Sequence, residues 1–144
     1  MNLSCIIIDD EPNAVNLLEM LIRQTTQWQL LAKCYDALEA IGFLKTHTVD
    51  FIFLDINMPV MNGWELLYKL KKDNNYNDIP VIIYTTSSEQ RDKEIAKDLG
   101  ALCFVTKPDN FRLMKSILKV VVDNLDKNSL DDVCTDIENV LHKQ

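Results

Sequence analysis

Five side chains in this sequence are of types that do chemistry together: the carboxylates of Asp9, Asp10 and Asp55, the hydroxyl of Thr85 and the ammonium of Lys107. Each stands at or just past the end of a short apolar run: IIIDD, FIFLD, IIYT and FVTK. Three carboxylates drawn together repel one another and raise each other's pKa unless a cation lies among them. Hard oxygen ligands of this kind select Mg2+, which takes about six oxygens, keeps several waters and commonly binds one or two carboxylates plus a phosphate. A carboxylate beside that ion can act as nucleophile toward a phosphoryl group, giving an aspartyl phosphate. A lysine and a hydroxyl supply the charge and the donor that phosphoryl oxygens require. Asp55 is the acid to explain, because the turn-forming residues Asn57, Pro59, Asn62 and Gly63 follow it at once and hold it on a stiff loop.

The elements that must position these groups are legible in the hydrophobic pattern. Leu3 to Ile8, Trp28 to Cys34, Phe51 to Leu54, Val81 to Tyr84 and Leu102 to Val105 read as five short strands. Between them lie helical repeats. Pro12 suits a first helical turn, and Ala14, Leu17, Leu18, Leu21 and Ile22 follow at helical spacing. Asp36 can cap a second helix carrying Leu38, Ile41, Phe43 and Leu44. A third runs from about Gly63 to Lys72 with Leu66, Leu67 and Leu70 inward, and a fourth carries Ile95, Ala96 and Leu99 and closes at Gly100. Phe111, Met114, Ile117, Val121 and Leu125 mark a fifth.

Strands alternating with helices predict an α/β fold, a five-stranded parallel sheet covered on both faces. Ligands of such sheets bind beyond the carboxyl ends of the strands, where the strand order reverses. Strand two presents nothing comparable to the acids of strands one and three, which fits the order 2-1-3-4-5 with strand two at an edge. The three aspartates would then meet in the crevice between strands one and three.

Composition narrows the function classes. With 144 residues, 47% of them hydrophobic, the chain can bury a real core as one domain. A formal charge of -7 and no basic stripe argue against direct nucleic-acid binding. The amino terminus lacks a basic n-region and no run reaches the roughly 18 to 20 apolar residues of a membrane span, so a cytoplasmic chain without membrane insertion is expected. Cys5, Cys34, Cys103 and Cys134 are widely spaced with no CxxC pair. They read as buried free thiols, with neither a zinc site nor a disulfide indicated.

Taken together, IIIDDEP, FLDINMPVMNG, IIYTTSS and FVTKP resemble the receiver domain of two-component response regulators, over residues 1 to about 125. Each motif alone is common; four in this order at strand ends are specific. The resemblance implies a doubly wound, flavodoxin-like sheet of the CheY type. It implies that Asp55 accepts a phosphoryl group from a phosphohistidine on a sensor histidine kinase or histidine phosphotransfer protein. Asp10 and Asp55 would bind Mg2+ by side chains, Asp9 mainly through a water and Asn57 through its backbone carbonyl. Lys107 would hold a phosphoryl oxygen, with Pro108 commonly the cis residue that places it. Thr85 and Phe104 resemble the family's switch pair, whose rearrangement alters the surface of helix four, strand five and helix five for a protein partner.

Two positions depart from the family pattern. Thr86 stands where a smaller residue is usual and would narrow phosphoryl access. Phe104 lacks the hydroxyl of the frequent tyrosine, so its position would rest on packing. Ser87 and Asn57 flank the family's route for hydrolytic water, and neither is a strong base. Blander readings stand beside these: the paired aspartates as caps of the first helix, Lys107 as a solvated lysine, Thr85 as an ordinary strand-end hydroxyl, Phe104 as plain core. Trp28 and Trp64 read as packing or partly exposed residues, Trp64 near the reactive loop. His47 and His142 are lone surface residues, and Asn62 is a turn residue.

The tail adds a helix foreign to the usual receiver. Ser129 can cap it, and Leu130, Val133, Ile137, Val140 and Leu141 form one apolar face. That face packs back on the domain, or else meets a partner or a second copy, so that a homodimer could form through it or through the helix four, strand five and helix five surface. The expected division is therefore a receiver over 1-126 and a helical extension over 127-144. The function expected is a phosphorylatable signalling switch that catalyses only its own phosphoryl transfer and dephosphorylation. The alternative is a receiver piece of a longer regulator, a transcription factor or hybrid kinase. A small-molecule phosphohydrolase fits less well, because that class tends to place a second acid two residues after the nucleophile, where Asn57 stands.

Overall fold

A computed structural model describes residues 3–126 and 133–142. Five strands, β1 (Ser4–Ile8), β2 (Gln29–Cys34), β3 (Phe51–Leu54), β4 (Val81–Thr85) and β5 (Cys103–Thr106), form one sheet in the order β2-β1-β3-β4-β5. All neighbouring pairs are parallel. Six helices complete the described chain: α1 (Pro12–Thr25), α2 (Ala37–Leu44), α3 (Gly63–Lys72), α4 (Gln90–Asp98), α5 (Phe111–Asp126) and α6 (Val133–His142). The strand order and the doubly wound form follow the hydrophobic pattern, with element ends shifted by a residue or two.

The central strand explains why the sheet is buried on both sides. Residues of a strand alternate between faces, and all four of Phe51 to Leu54 are buried. Phe51 and Phe53 enter one core with Val15, Leu18 and Leu21 of α1 and Met114, Ile117 and Val121 of α5. Ile52 and Leu54 enter the other with Ala37 and Leu44 of α2, Leu66, Leu67 and Leu70 of α3 and Ala96 of α4. Trp28 belongs to the first core, its ring edge-on to Phe51 with centroids 4.6 Å apart. Each such side chain contributes about 1.5–3 kcal/mol when fully buried.

Several inward assignments change. Leu17 and Leu38 point to solvent, and Val15, Ala37 and Ala40 take the inward positions. The alanines let α2 lie close on the sheet, which a leucine at the same position would prevent. Phe111, expected inward, is 40% exposed at the first turn of α5.

The tail helix does pack back. Val133 and Ile137 of α6 are buried against the α5 side of the sheet. The buried Asn124 amide of α5 donates to the Val120 carbonyl (2.8 Å) and to Asp136 of α6 (3.1 Å). The expected cap Ser129 and the apolar Leu130 lie outside the described residues. The cysteine reading holds for Cys5 and Cys34, which are buried free thiols. It fails for Cys103 and Cys134, which are joined by a disulfide with Cα atoms 5.4 Å apart. Their separation of 31 residues hides the pairing, because only the return of α6 onto β5 brings the two together.

Helix ends are set by side chains and by glycine. Asp36 accepts from the Glu39 amide (2.7 Å) at the start of α2. Asn62, read as a turn residue, is the N-cap of α3 and forms a capping box with Glu65. Gly100 (φ +91°) ends α4, with Gly100 N donating to Lys97 O and Ala101 N to Ala96 O, the paired bonds of a Schellman motif. Gly63 has a different reason: a Cβ there would meet the Asp55 carbonyl oxygen and come within 2.6 Å of Ile56 Cα. The loop after β3 therefore folds tightly against its own strand end, with Gly63 N bonded to Ile56 O (3.0 Å). Gly63→Ala should destabilise the chain by about 1–3 kcal/mol, the range for overpacking a dense site. Urea denaturation checks this, and a midpoint unchanged from wild type would show that the loop has room to spare.

Candidate functional site

The crevice is built by register. Ile8 of β1 pairs with Leu54 of β3, so the next residues, Asp9 and Asp55, leave adjacent strands side by side. Backbone bonds fix both: Asp9 N donates to Cys34 O (3.0 Å) and Asp55 N to Ile8 O (2.9 Å). Asp9 and Asp55 are buried and Asp10 is exposed at the rim. One carboxylate oxygen from each of the three lies within 4.8 Å of the others. The structure thus brings together the three acids that strand-end reasoning placed here.

Lys107 completes the cluster from β5. Its Nζ donates to Asp9 Oδ2 at 2.6 Å and lies 4.0 Å from Asp55 Oδ2, and its backbone N–H donates to Thr85 O (2.6 Å). The peptide bond to Pro108 is trans, as is every other peptide bond described. The expected cis bond is absent; trans is the lower-energy isomer, and from it Lys107 already reaches both acids. Asp9 also accepts from the Glu11 amide (2.9 Å), and Glu11 itself caps α1 by accepting from Asn13 N (3.1 Å).

The electrostatics single out Asp55. Burial pushes its carboxyl above the usual carboxylate range and the charge of Asp9 adds to this; Lys107, Thr85 and the Asn57 backbone N–H pull the other way. The Thr85 hydroxyl stands near enough to favour the anion, yet no bond of proper geometry joins them. Asp55 Oδ1 and Thr85 Oγ1 are both buried without a partner. Native interiors rarely leave such atoms unpaired. An acid oxygen and a hydroxyl held open, beside two further acids and one ammonium, fit a hard divalent cation and an oxyanion.

The remaining expected residues divide. Asn57 and Thr86 are exposed, and Ser87 is half-buried. The Ser87 hydroxyl donates to Asp92 of α4 (2.5 Å), and its carbonyl accepts from the Thr106 hydroxyl (2.8 Å). Phe104 is half-buried against the α4 side of the sheet, one strand over from Thr85, since Ile83 pairs with Phe104 and Thr85 with Thr106. Trp64 is half-buried on α3 and His47 is exposed, stacked on Phe43 with centroids 4.1 Å apart. The side chain of His142 is outside the described set.

Three contributors were missed. Tyr84 places its ring 5.7 Å from Lys107 Nζ, and burial, then the charge of Asp9, raises its phenol pKa. No sequence signal distinguishes it from an ordinary strand aromatic. Thr106 and Asp92 tie the β4 loop to β5 and α4 through Ser87. Their pairing is tertiary and leaves no local trace.

Comparison with known proteins agrees with this geometry. Residues 5–119 match the family model described as the response regulator receiver domain. The chain is 33% identical over 110 residues to the response regulator GtcR of Aneurinibacillus migulanus, covering 76% of this chain and 43% of that protein. It is 32% identical to the protein PilH of Pseudomonas aeruginosa, covering 81% and 95%. The chain spans about half, or less, of several other curated relatives. The phosphorylated cyanobacterial phytochrome response regulator RcpA superposes with a TM-score of 0.78 at 24% identity, covering 86% of this chain and 94% of that one, which shows the fold. No helix among the described residues is long and apolar enough to cross a membrane. The matched span holds all five strands and every residue of the acidic crevice, and the chain belongs to the response regulator receiver domain family of two-component signalling.

Proposed function

We propose that this chain is a phosphorylatable switch in which Asp55 takes a phosphoryl group from a phosphohistidine of a sensor histidine kinase or phosphotransfer protein. The observation that carries this reading is the pair of buried, unpartnered atoms, Asp55 Oδ1 and Thr85 Oγ1, facing a cluster of acids and one lysine. A receiver over residues 1-126 does the chemistry, and residues 127-144 extend it. Among the matched proteins, RcpA is described in phosphorylated form, which supports the same chemistry here.

In the transfer, a carboxylate oxygen of Asp55 attacks phosphorus, the P–N bond breaks and the imidazole leaves. Asp10 and Asp55 by side chains, Asp9 mainly through a water and Asn57 by its backbone carbonyl would hold Mg2+. When bound, that ion neutralises the clustered carboxylates and the charge on the transferring group. Lys107 lies 4.0 Å from Asp55 and is the cation within reach of a phosphoryl oxygen there. The Thr85 hydroxyl, lacking any partner, donates to another.

The response follows from charge and packing. The new group adds about 1.5 to 2 negative charges. Once Thr85 turns toward it, space opens on the α4 face of the sheet for the half-buried Phe104. α4 is the element least able to resist, because it buries only Ala96 fully and has no side-chain cap at its start. A partner that prefers the altered α4–β5–α5 surface then shifts the population by its differential affinity.

Incubation with acetyl phosphate and magnesium tests the assignment by intact mass. Wild type should gain one phosphoryl group and Asp55→Asn none; equal labelling of both removes Asp55 from the role. Lys107→Ala should slow labelling by about 10²-fold, the typical loss for one donor to a developing oxyanion.

Stability against pH gives an independent check. The folded pKa of Asp55 is raised above its ordinary 3.8. The stability it contributes is therefore intact below that value and is lost as pH rises through the folded value. With divalent ions chelated at pH 7, Asp55→Asn should melt higher than wild type by roughly 3 °C or more, the equivalent of about 1 kcal/mol in a chain of this size. The gap should narrow toward pH 4, and magnesium at pH 7 should raise wild type far more than the variant. A variant that melts lower than metal-free wild type at pH 7 would contradict the buried-charge argument.

A further inference from the structure

Of the four cysteines, two are sealed in the cores and two join the last strand to the appended helix. Cys5 and Cys34 are 0% and 1% exposed. Burial, more than nearby carboxylates, pushes both thiols up to about 12, so neither supplies appreciable thiolate near neutral pH. Cys103 lies on β5 at the sheet edge, next in sequence to Phe104. Cys134 lies in the first turn of α6, half-buried, on the wall of a groove of about 660 Å³ between α4, β5 and α6. Phe104, Lys93 and Lys97 share that groove with Ile137 and Leu141.

We propose that Cys103 and Cys134 form a reversible redox latch that pins α6 along β5 and the adjoining α4 groove. The link ties an appended helix to the edge of the sheet. The five strands pair without α6, which packs on one core through the buried Val133 and Ile137 and is further held by the Asn124–Asp136 hydrogen bond. The covalent link joins residues 31 apart in the chain and fixes the start of α6 to β5. Both cysteines line the groove, and Cys134, half-buried where Cys103 is 4% exposed, is the one more open to a small thiol or disulfide.

The exchange balances with a small-molecule disulfide as oxidant. The Cys134 thiolate attacks one sulfur of that disulfide, forming a mixed disulfide and releasing one small thiolate. Cys103 then attacks the Cys134 sulfur and releases the second. The two cysteines lose two electrons and two protons, and the small disulfide becomes two thiols. Reduction by excess small thiol runs the same steps backward. In the oxidised chain α6 is held beside Phe104, on the surface assigned above to the switch. That last consequence rests on the reading of Asp55 as phosphoacceptor; the latch does not.

The test uses the full chain in glutathione buffers of graded redox ratio, with thiols trapped by alkylation and counted by mass. Amide hydrogen exchange of residues 133–142 is followed in the same samples. One disulfide, Cys103 to Cys134, should form and reopen across the series while Cys5 and Cys34 stay free. Exchange in 133–142 should be about a hundredfold slower when oxidised, on the scale expected for cross-linking a loop of this length. Cys134→Ser should exchange alike in all buffers. Four free thiols in the most oxidising buffer, or equal exchange in oxidised and reduced wild type, overturns the latch. Acetyl phosphate labelling runs in parallel. Its absence in every buffer overturns the phosphoacceptor reading and leaves thiol counts and exchange rates to decide the latch.

Discussion

The structure turns on an imbalance of charge that the sheet imposes. Parallel pairing of β1 with β3 sets Asp9 and Asp55 side by side, and the loop start adds Asp10, so three carboxylates share one crevice. One ammonium, from Lys107, stands among them and is already engaged with Asp9. Backbone geometry holds Asp9 and Asp55 in place through the strand register and the tight Gly63 turn, with Asp10 at the exposed rim. A deficit of positive charge that cannot relax by movement can relax only by protonation or by taking up a cation. The carboxyl pKa of Asp55 is already raised, first by burial and then by the charge of Asp9, which brings the first of these responses closer. The hard oxygen donor set makes the second the better one near neutral pH.

How much of this could be read from the residues depends on whether the cause was local. Strand ends, the acids that follow them, Pro12, Asp36 and Gly100 are local signals, and each stands where periodicity and capping rules put it. The capping box of α3 was equally local, as Asn62 three residues before Glu65, but was hidden under the turn signals of the same loop. What escaped was tertiary. The engagement of Ser87 with Asp92 and Thr106, the ring of Tyr84 near Lys107 and the joining of Cys103 to Cys134 all depend on elements that meet only in the fold. Leu17 and Leu38 erred for another reason: a helical repeat names a stripe, and which edge of the stripe faces the sheet is settled by where small residues permit close approach.

The helices are not equally anchored, and the difference bears on function. α1 buries four side chains and α3 three, and α3 adds a full capping box. α4 buries one, and its start is tied to the strand ends only through Ser87, Asp92 and Thr106. These ties run from the loop directly after Thr85. Any shift of that loop therefore reaches α4 through hydrogen bonds, with little packing to oppose it.

The unpaired Thr85 hydroxyl gives this loop a reason to move. A buried polar atom left without a partner costs about 1–3 kcal/mol, and Thr85 is 0% exposed. Rotating toward solvent would relieve nothing, because the residue is enclosed; rotating toward Asp55 meets an oxygen that also lacks a partner. An anion bound there would accept from Thr85 and Lys107 together. The resting fold thus leaves two buried polar atoms unpartnered at a cost that a third group can remove, and that cost is available to shift the weakly held α4 edge.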